Sequence, residues 1–151
     1  MLLEIEGLRK TFDDGTRALR GVDLSVEGGD FVVILGPSGS GKTTLLRSLN
    51  GLVTPDAGTI RFRDQIVSAA TLPALKKRTG MVFQDFNLVD NLSALNNVLT
   101  GLLDSSNKFM SMFYLFTRAQ KLLALDCLER VGLLDKAYAR SDQLSGGQKQ
   151  R

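Results

Sequence analysis

Gly36-Pro37-Ser38-Gly39-Ser40-Gly41-Lys42-Thr43 is the stretch of this chain whose residue types and spacing most plainly do chemistry, and Thr44 continues it. It satisfies G-x-x-x-x-G-K-S/T. Gly39 and Gly41 allow positive φ, so successive N–H groups can turn into one concavity and make an anion nest at the positive end of the following helix. The Lys42 ammonium is a point charge for β- and γ-phosphates, and the Thr43 hydroxyl is placed to ligate Mg²⁺. The chemistry expected is binding of a nucleotide triphosphate. A glycine-rich turn that merely links strand to helix is the bland alternative, but it gives the lysine no packing purpose. Leu144-Ser145-Gly146-Gly147-Gln148 is a second glycine cluster. Its Ser145 and Gln148 fit a capping box whose glycines expose N–H groups at a helix start, which makes it either a second anion site or a simple helix cap.

The elements that must position these residues follow from hydrophobic period. Phe31-Val32-Val33-Ile34-Leu35 is a continuous apolar run before the first glycine loop, as expected for a strand of a parallel sheet covered on both faces. Leu45, Leu46, Leu49 and Leu52 follow at helical spacing, with Gly51 as a stop. Upstream, Leu3, Ile5, Leu19, Val22, Leu24 and Val26 alternate loosely with polar residues, as half-exposed antiparallel strands do, and Gly28-Gly29 supplies a turn. Thr59 to Arg63 and Gly80 to Gln84 read as short strands, and Lys76-Lys77-Arg78 between them as a solvated face. Residues 88–103 carry mixed helical spacing, and Phe109 to Phe116 is dense in methionine and aromatics. Thr117-Arg118-Ala119-Gln120 fits a capping box, which predicts a helix from about Thr117 to Val131 ended by Gly132.

Composition narrows the chemistry further. The chain has 151 residues, 43% hydrophobic and 23% charged, an ordinary globular balance without repeats or low complexity. A net charge of +3 is too weak to argue for nucleic acid. Because the histidine count is 0, imidazole general bases and histidine metal ligands are excluded within these residues. The single cysteine, Cys127, allows neither an internal disulfide nor a thiolate metal cluster. No apolar run approaches the roughly 18 residues of a membrane span, so a soluble, cytosolic chain is expected.

Taken together, the two glycine clusters resemble the ATP-binding cassette (ABC) ATPases. The resemblance implies an α/β P-loop NTPase of the ABC type: an N-terminal antiparallel β region, a partial parallel core sheet and an α-helical subdomain. The expected divisions are 1–86 for the β region and core with the phosphate loop, 87–143 for the helical subdomain and 144–151 for the signature motif. It also implies that ATP and Mg²⁺ bind at Gly36, Pro37, Ser38, Gly39, Ser40, Gly41, Lys42, Thr43 and Thr44. Leu144, Ser145, Gly146, Gly147 and Gln148 would face ATP held by a second ATPase subunit in a head-to-tail dimer, with Ser145 and Gly147 on the γ-phosphate. Gln84 matches the glutamine that touches Mg²⁺ and the attacking water. Phe12 stands where the family places an aromatic that stacks on adenine; a core phenylalanine is the plain alternative.

Phe86-Asn87-Leu88-Val89, Asn97-Val98-Leu99, Phe116-Thr117, Arg130-Val131-Gly132-Leu133 and Lys136-Ala137-Tyr138 resemble the ATPase subunits of phosphonate importers. That likeness implies membrane permease subunits and a separate substrate-binding protein as partners, and a peripheral place on the cytoplasmic side of the cell membrane. The Phe109 to Phe116 stretch would then lie near the permease, with ordinary core as the plain alternative. The family also needs an apolar strand ending in Asp-Glu and a later switch histidine, and neither lies within these residues. Leu122-Leu123-Ala124-Leu125-Asp126 mimics that strand, but Cys127 follows and the run sits in the capped helix. The expectation is a C-terminally truncated ATPase that binds better than it hydrolyses, with Phe31 to Leu35 left unpartnered. A nucleotide-switched module without transport is the reading from another class, and an importer ATPase for another substrate is the nearer alternative. A GTPase is disfavoured by the lack of N-K-x-D, and a small-molecule kinase by the Leu144 to Gln148 pentad.

Overall fold

Alternating apolar residues near the N-terminus build a hairpin in the computed structural model, which describes residues 1–103 and 116–151. Strand β1 (Leu3–Thr11) pairs antiparallel with β2 (Arg17–Val26) across a tight turn. In that turn Asp14 Oδ1 accepts the Thr16 N–H at 2.9 Å and Gly15 takes a φ of 83°, so D-G chemistry closes the hairpin. The same Thr16 bonds hold the Asp14 carboxyl below its ordinary pKa.

Strand β3 (Ala57–Phe62) pairs with the other edge of β1, and β4 (Gln65–Ile66) with β3, giving the order β2-β1-β3-β4. The side chains that point inward, Ile5, Leu8, Leu19 and Ile60, close on Leu45 of helix α1 (Lys42–Leu49). Each such buried aliphatic contributes roughly 1.5–3 kcal/mol. Helix α2 (Leu72–Lys76), which runs into the Lys76-Lys77-Arg78 triplet read as a solvated face, anchors itself through buried Leu75.

Every pairing between the named strands is antiparallel, so the partial parallel core sheet is corrected by the structure. The expected strands Phe31–Leu35 and Gly80–Gln84 are both irregular segments. Phe31 is 92%, Val33 60%, Leu35 87% and Val82 90% exposed, while Ile34 alone in the first run packs against the hairpin core. The physical reason is that an all-apolar run becomes a strand only with neighbours to take its N–H and C=O groups and layers to cover both faces. The described residues supply no such neighbours.

The chain divides into two compact units, Met1–Val82 and Phe83–Arg151. The second is helical. Helix α3 (Ala94–Thr100) begins at Ser93, whose side chain accepts the Asn96 N–H. Helix α4 (Arg118–Arg130) starts with the expected capping box between Thr117 and Gln120, and Gly132 at φ 68° follows its C-cap, Val131. Two 3₁₀ turns, Leu134–Lys136 and Ser141–Gln143, lead to α5 (Gly146–Gln150). Ala94, Leu95, Leu99, Phe116, Ala124, Leu128, Leu133, Ala137 and Leu144 form the core of this unit. The Phe109 to Phe116 stretch otherwise lies outside the described residues. Among the described residues no helix is long and apolar enough to cross a membrane.

Candidate functional site

The glycine loop wraps its own lysine. Lys42 Nζ donates to the carbonyls of Gly36 and Pro37, both at 2.7 Å, and to Ser40 Oγ at 3.3 Å, which centres the ammonium in the loop. Gly39 and Gly41 take φ of 80° and 90°, as their expected role requires. At Gly41 the need is also steric, because a Cβ there would collide with the Ala18 carbonyl oxygen of β2. The hairpin therefore presses directly on the loop, a contact that no local pattern announces.

Helix α1 starts at Gly41 with no side-chain cap and no acidic residue in its first turn. Its first N–H groups are thus not occupied by a side chain, and the helix dipole places about half an elementary positive charge there. An ammonium, a left-handed glycine backbone and an uncapped helix start together fit a polyphosphate. Exposed Thr43 and half-buried Thr44 lie in that first turn. The Thr43 hydroxyl is a hard neutral oxygen that suits Mg²⁺, whose remaining ligands would be phosphate oxygens and water. Among the described residues no group of three or more acidic, cysteine or histidine side chains could hold a metal without such help.

Phe12 stands at the end of the hairpin, 39% exposed, so it is not a core residue. Lys10 Nζ lies 5.8 Å from its ring centroid and 2.8 Å from Asp56 Oδ1. Asp56 Oδ2 also accepts the Thr11 N–H at 2.6 Å. The lysine and then this backbone bond hold the Asp56 carboxyl below its ordinary pKa. The braces fix the strand end that presents the aromatic ring. Sequence reasoning missed them because they join residues 46 and 45 positions apart.

Gln84 belongs to the second unit, where it is exposed and outside any strand. The signature residues lie in the same unit. Leu144 is 8% exposed and plugs the helical core, while Ser145, Gly146 and Gly147 are exposed beside it. The expected capping box is present: Ser145 Oγ accepts the Gln148 N–H at 3.3 Å and Gln148 Oε1 accepts the Ser145 N–H at 2.9 Å. A buried leucine thus anchors a short glycine-rich helix start that faces outward.

A family model described as ABC transporter matches residues 19–151. The phosphonates import ATP-binding protein PhnC of Thiobacillus denitrificans is 47% identical over 99% of this chain and 58% of its own length. PhnC 3 of Nostoc sp. is 50% identical over 100% and 58%, respectively. The phosphite import ATP-binding protein PxtA of Stutzerimonas stutzeri is 46% identical, covering 99% of this chain and 54% of that protein. The chain thus spans a little over half the length of these curated relatives. Among solved structures, the ATP-binding cassette MJ0796, a dimer bound to ADP and Pi, superposes with a TM-score of 0.81 at 32% identity, over 97% of this chain and 65% of that one. MJ1267, a cassette in its ADP conformation, gives 0.76 at 30% identity, over 98% and 60%. With the glycine loop, the outward-facing signature and the family match over most of its residues, this chain belongs to the ABC transporter family and carries the fold of its ATP-binding cassettes.

Proposed function

We propose that this chain is the nucleotide-binding part of an ABC importer's ATPase subunit, for phosphonate or a related oxyanion. The observation that carries the reading is the centred Lys42 ammonium at an uncapped helix start, in a chain that also presents a core-anchored signature. The names of the relatives support the oxyanion. Residues 1–86 would bind nucleotide, 87–143 form the helical region and 144–151 the signature.

In this reading the N–H groups of Gly39 to Thr44 and the Lys42 ammonium hold the β- and γ-phosphates, and Phe12 stacks on adenine. Thr43 and Gln84 would hold Mg²⁺, which supplies neutralisation of phosphate charge. Ser145 and Gly147 of a second copy close on the γ-phosphate in a head-to-tail dimer. Within these residues the contribution to hydrolysis is positioning and charge neutralisation. Partners would be permease subunits and a substrate-binding protein, with this subunit peripheral on the cytoplasmic face.

Calorimetry with MgATP tests the assignment. In the intact protein Lys42→Ala should weaken ATP binding at least about tenfold, the loss of about 1.4 kcal/mol of phosphate interaction. Unchanged affinity and turnover would refute it.

A further inference from the structure

Half-buried Asn97 of α3 uses both ends of its amide, and one of its partners, Ser141, lies 44 positions away. Its Oδ1 accepts the Val89 N–H at 2.8 Å, while Nδ2 donates to the Val89 carbonyl at 3.1 Å and the Ser93 carbonyl at 3.2 Å. The same Nδ2 donates to Ser141 Oγ at 2.8 Å. Ser141 is fully buried, and its N–H donates to the Leu92 carbonyl at 2.9 Å. Around this point run Asp142 N–H to Asp90 carbonyl, Ala94 N–H to Ala139 carbonyl and Leu95 N–H to Ala137 carbonyl, at 3.1, 3.0 and 2.8 Å. The loop that follows Gln84 is thereby stitched to the turn that ends at Leu144 and Ser145.

An asparagine suits this place because only a primary amide offers an acceptor and two donors on one short, planar head. Aspartate keeps the acceptor but puts a carboxylate against the Val89 and Ser93 carbonyls. Alanine takes the amide donor away from the hydroxyl of fully buried Ser141, the costly kind of loss, and frees the exposed Val89 N–H. Ser141 is three residues from Leu144, whose N–H donates to the Ser141 carbonyl at 3.2 Å, so the clasp connects directly to the start of the signature.

We propose that Asn97 is a positioning residue: through Val89 and Ser141 it clasps the loop following Gln84 to the signature, so that both move as one piece. The clasp itself is a property of the helical unit. Its consequence for turnover rests on the reading of Ser145 and Gly147 as groups that close on a partner's ATP.

The test compares Asn97→Asp, Ser141→Ala and the double variant with wild type in the intact protein, with Ser141→Ala as the mild variant expected to keep the fold. Deuterium exchange without nucleotide should show the amides of residues 142–149 opening at least about fivefold faster in each variant, and the double no worse than the worse single change. Catalytic turnover and ATP-induced dimerisation should fall about five- to tenfold, while ATP affinity at the Lys42 loop stays within about twofold. Wild-type exchange rates in both single variants, additive effects, or faster exchange with unchanged turnover would overturn the proposal, and so would parallel loss of ATP affinity. If wild type shows no ATP-dependent dimer, the functional reading fails, and the exchange comparison still decides the clasp.

Discussion

Lys42 and Asp56 show how single residues in the first unit set the site. Lys42 is held by three oxygens of its own loop, which fixes the ammonium among the loop's backbone groups. Asp56 acts at a distance from the loop, tying Lys10 and the Thr11 N–H at the strand end that carries Phe12. Its carboxyl is held below the ordinary 3.8. A carboxyl depressed in the folded state contributes stability above its unfolded value, and that contribution is lost as pH falls through the lower folded value. The melting temperature should therefore decline below about pH 4, and Asp56→Asn should flatten that part of the profile. Scanning calorimetry between neutral and acid pH measures it; an identical acid limb in the variant would contradict the role given to Asp56.

At the scale of elements, helix ends are specified locally. Both capping boxes, Thr117 with Gln120 and Ser145 with Gln148, need only residues three apart. The same length of sequence that encodes them builds them, so both could be read in advance. Thr117→Ala removes one side of the first box and should cost about 1 kcal/mol. That should lower the melting temperature of the helical unit by several degrees, as circular dichroism would record. Helix α2 and strand β4 escaped the sequence reading because five and two residues carry too little period.

For the whole molecule, the informative region is the apolar run ahead of the glycine loop. Phe31, Val33 and Leu35 lie exposed on an unpaired backbone, and Val82 is exposed in the other segment expected to be a strand. Such an edge is a template for association with another chain. The 151-residue chain should therefore associate at micromolar concentration. Phe31→Lys with Val33→Lys should raise its monomer fraction severalfold by light scattering, since charges on an edge block pairing. A monodisperse wild-type chain would contradict this expectation.

Short-range features were legible from residue order alone: the phosphate-loop pattern, the Gly28-Gly29 turn, both capping boxes and the long α4 helix. Each depends on backbone dihedrals and hydrogen bonds within a few residues, which residue type controls directly. The resemblance carried by the two glycine clusters also named the family. That residues 31–35 and 80–84 form no strand was visible only after folding, because a strand exists through neighbours that its own residues do not encode. The tertiary structure likewise decided that Gly41 must accommodate the Ala18 carbonyl and that Asn97 reaches Ser141 across 44 positions. Those contacts are made by chain segments that meet only after folding, so no spacing along the sequence could announce them.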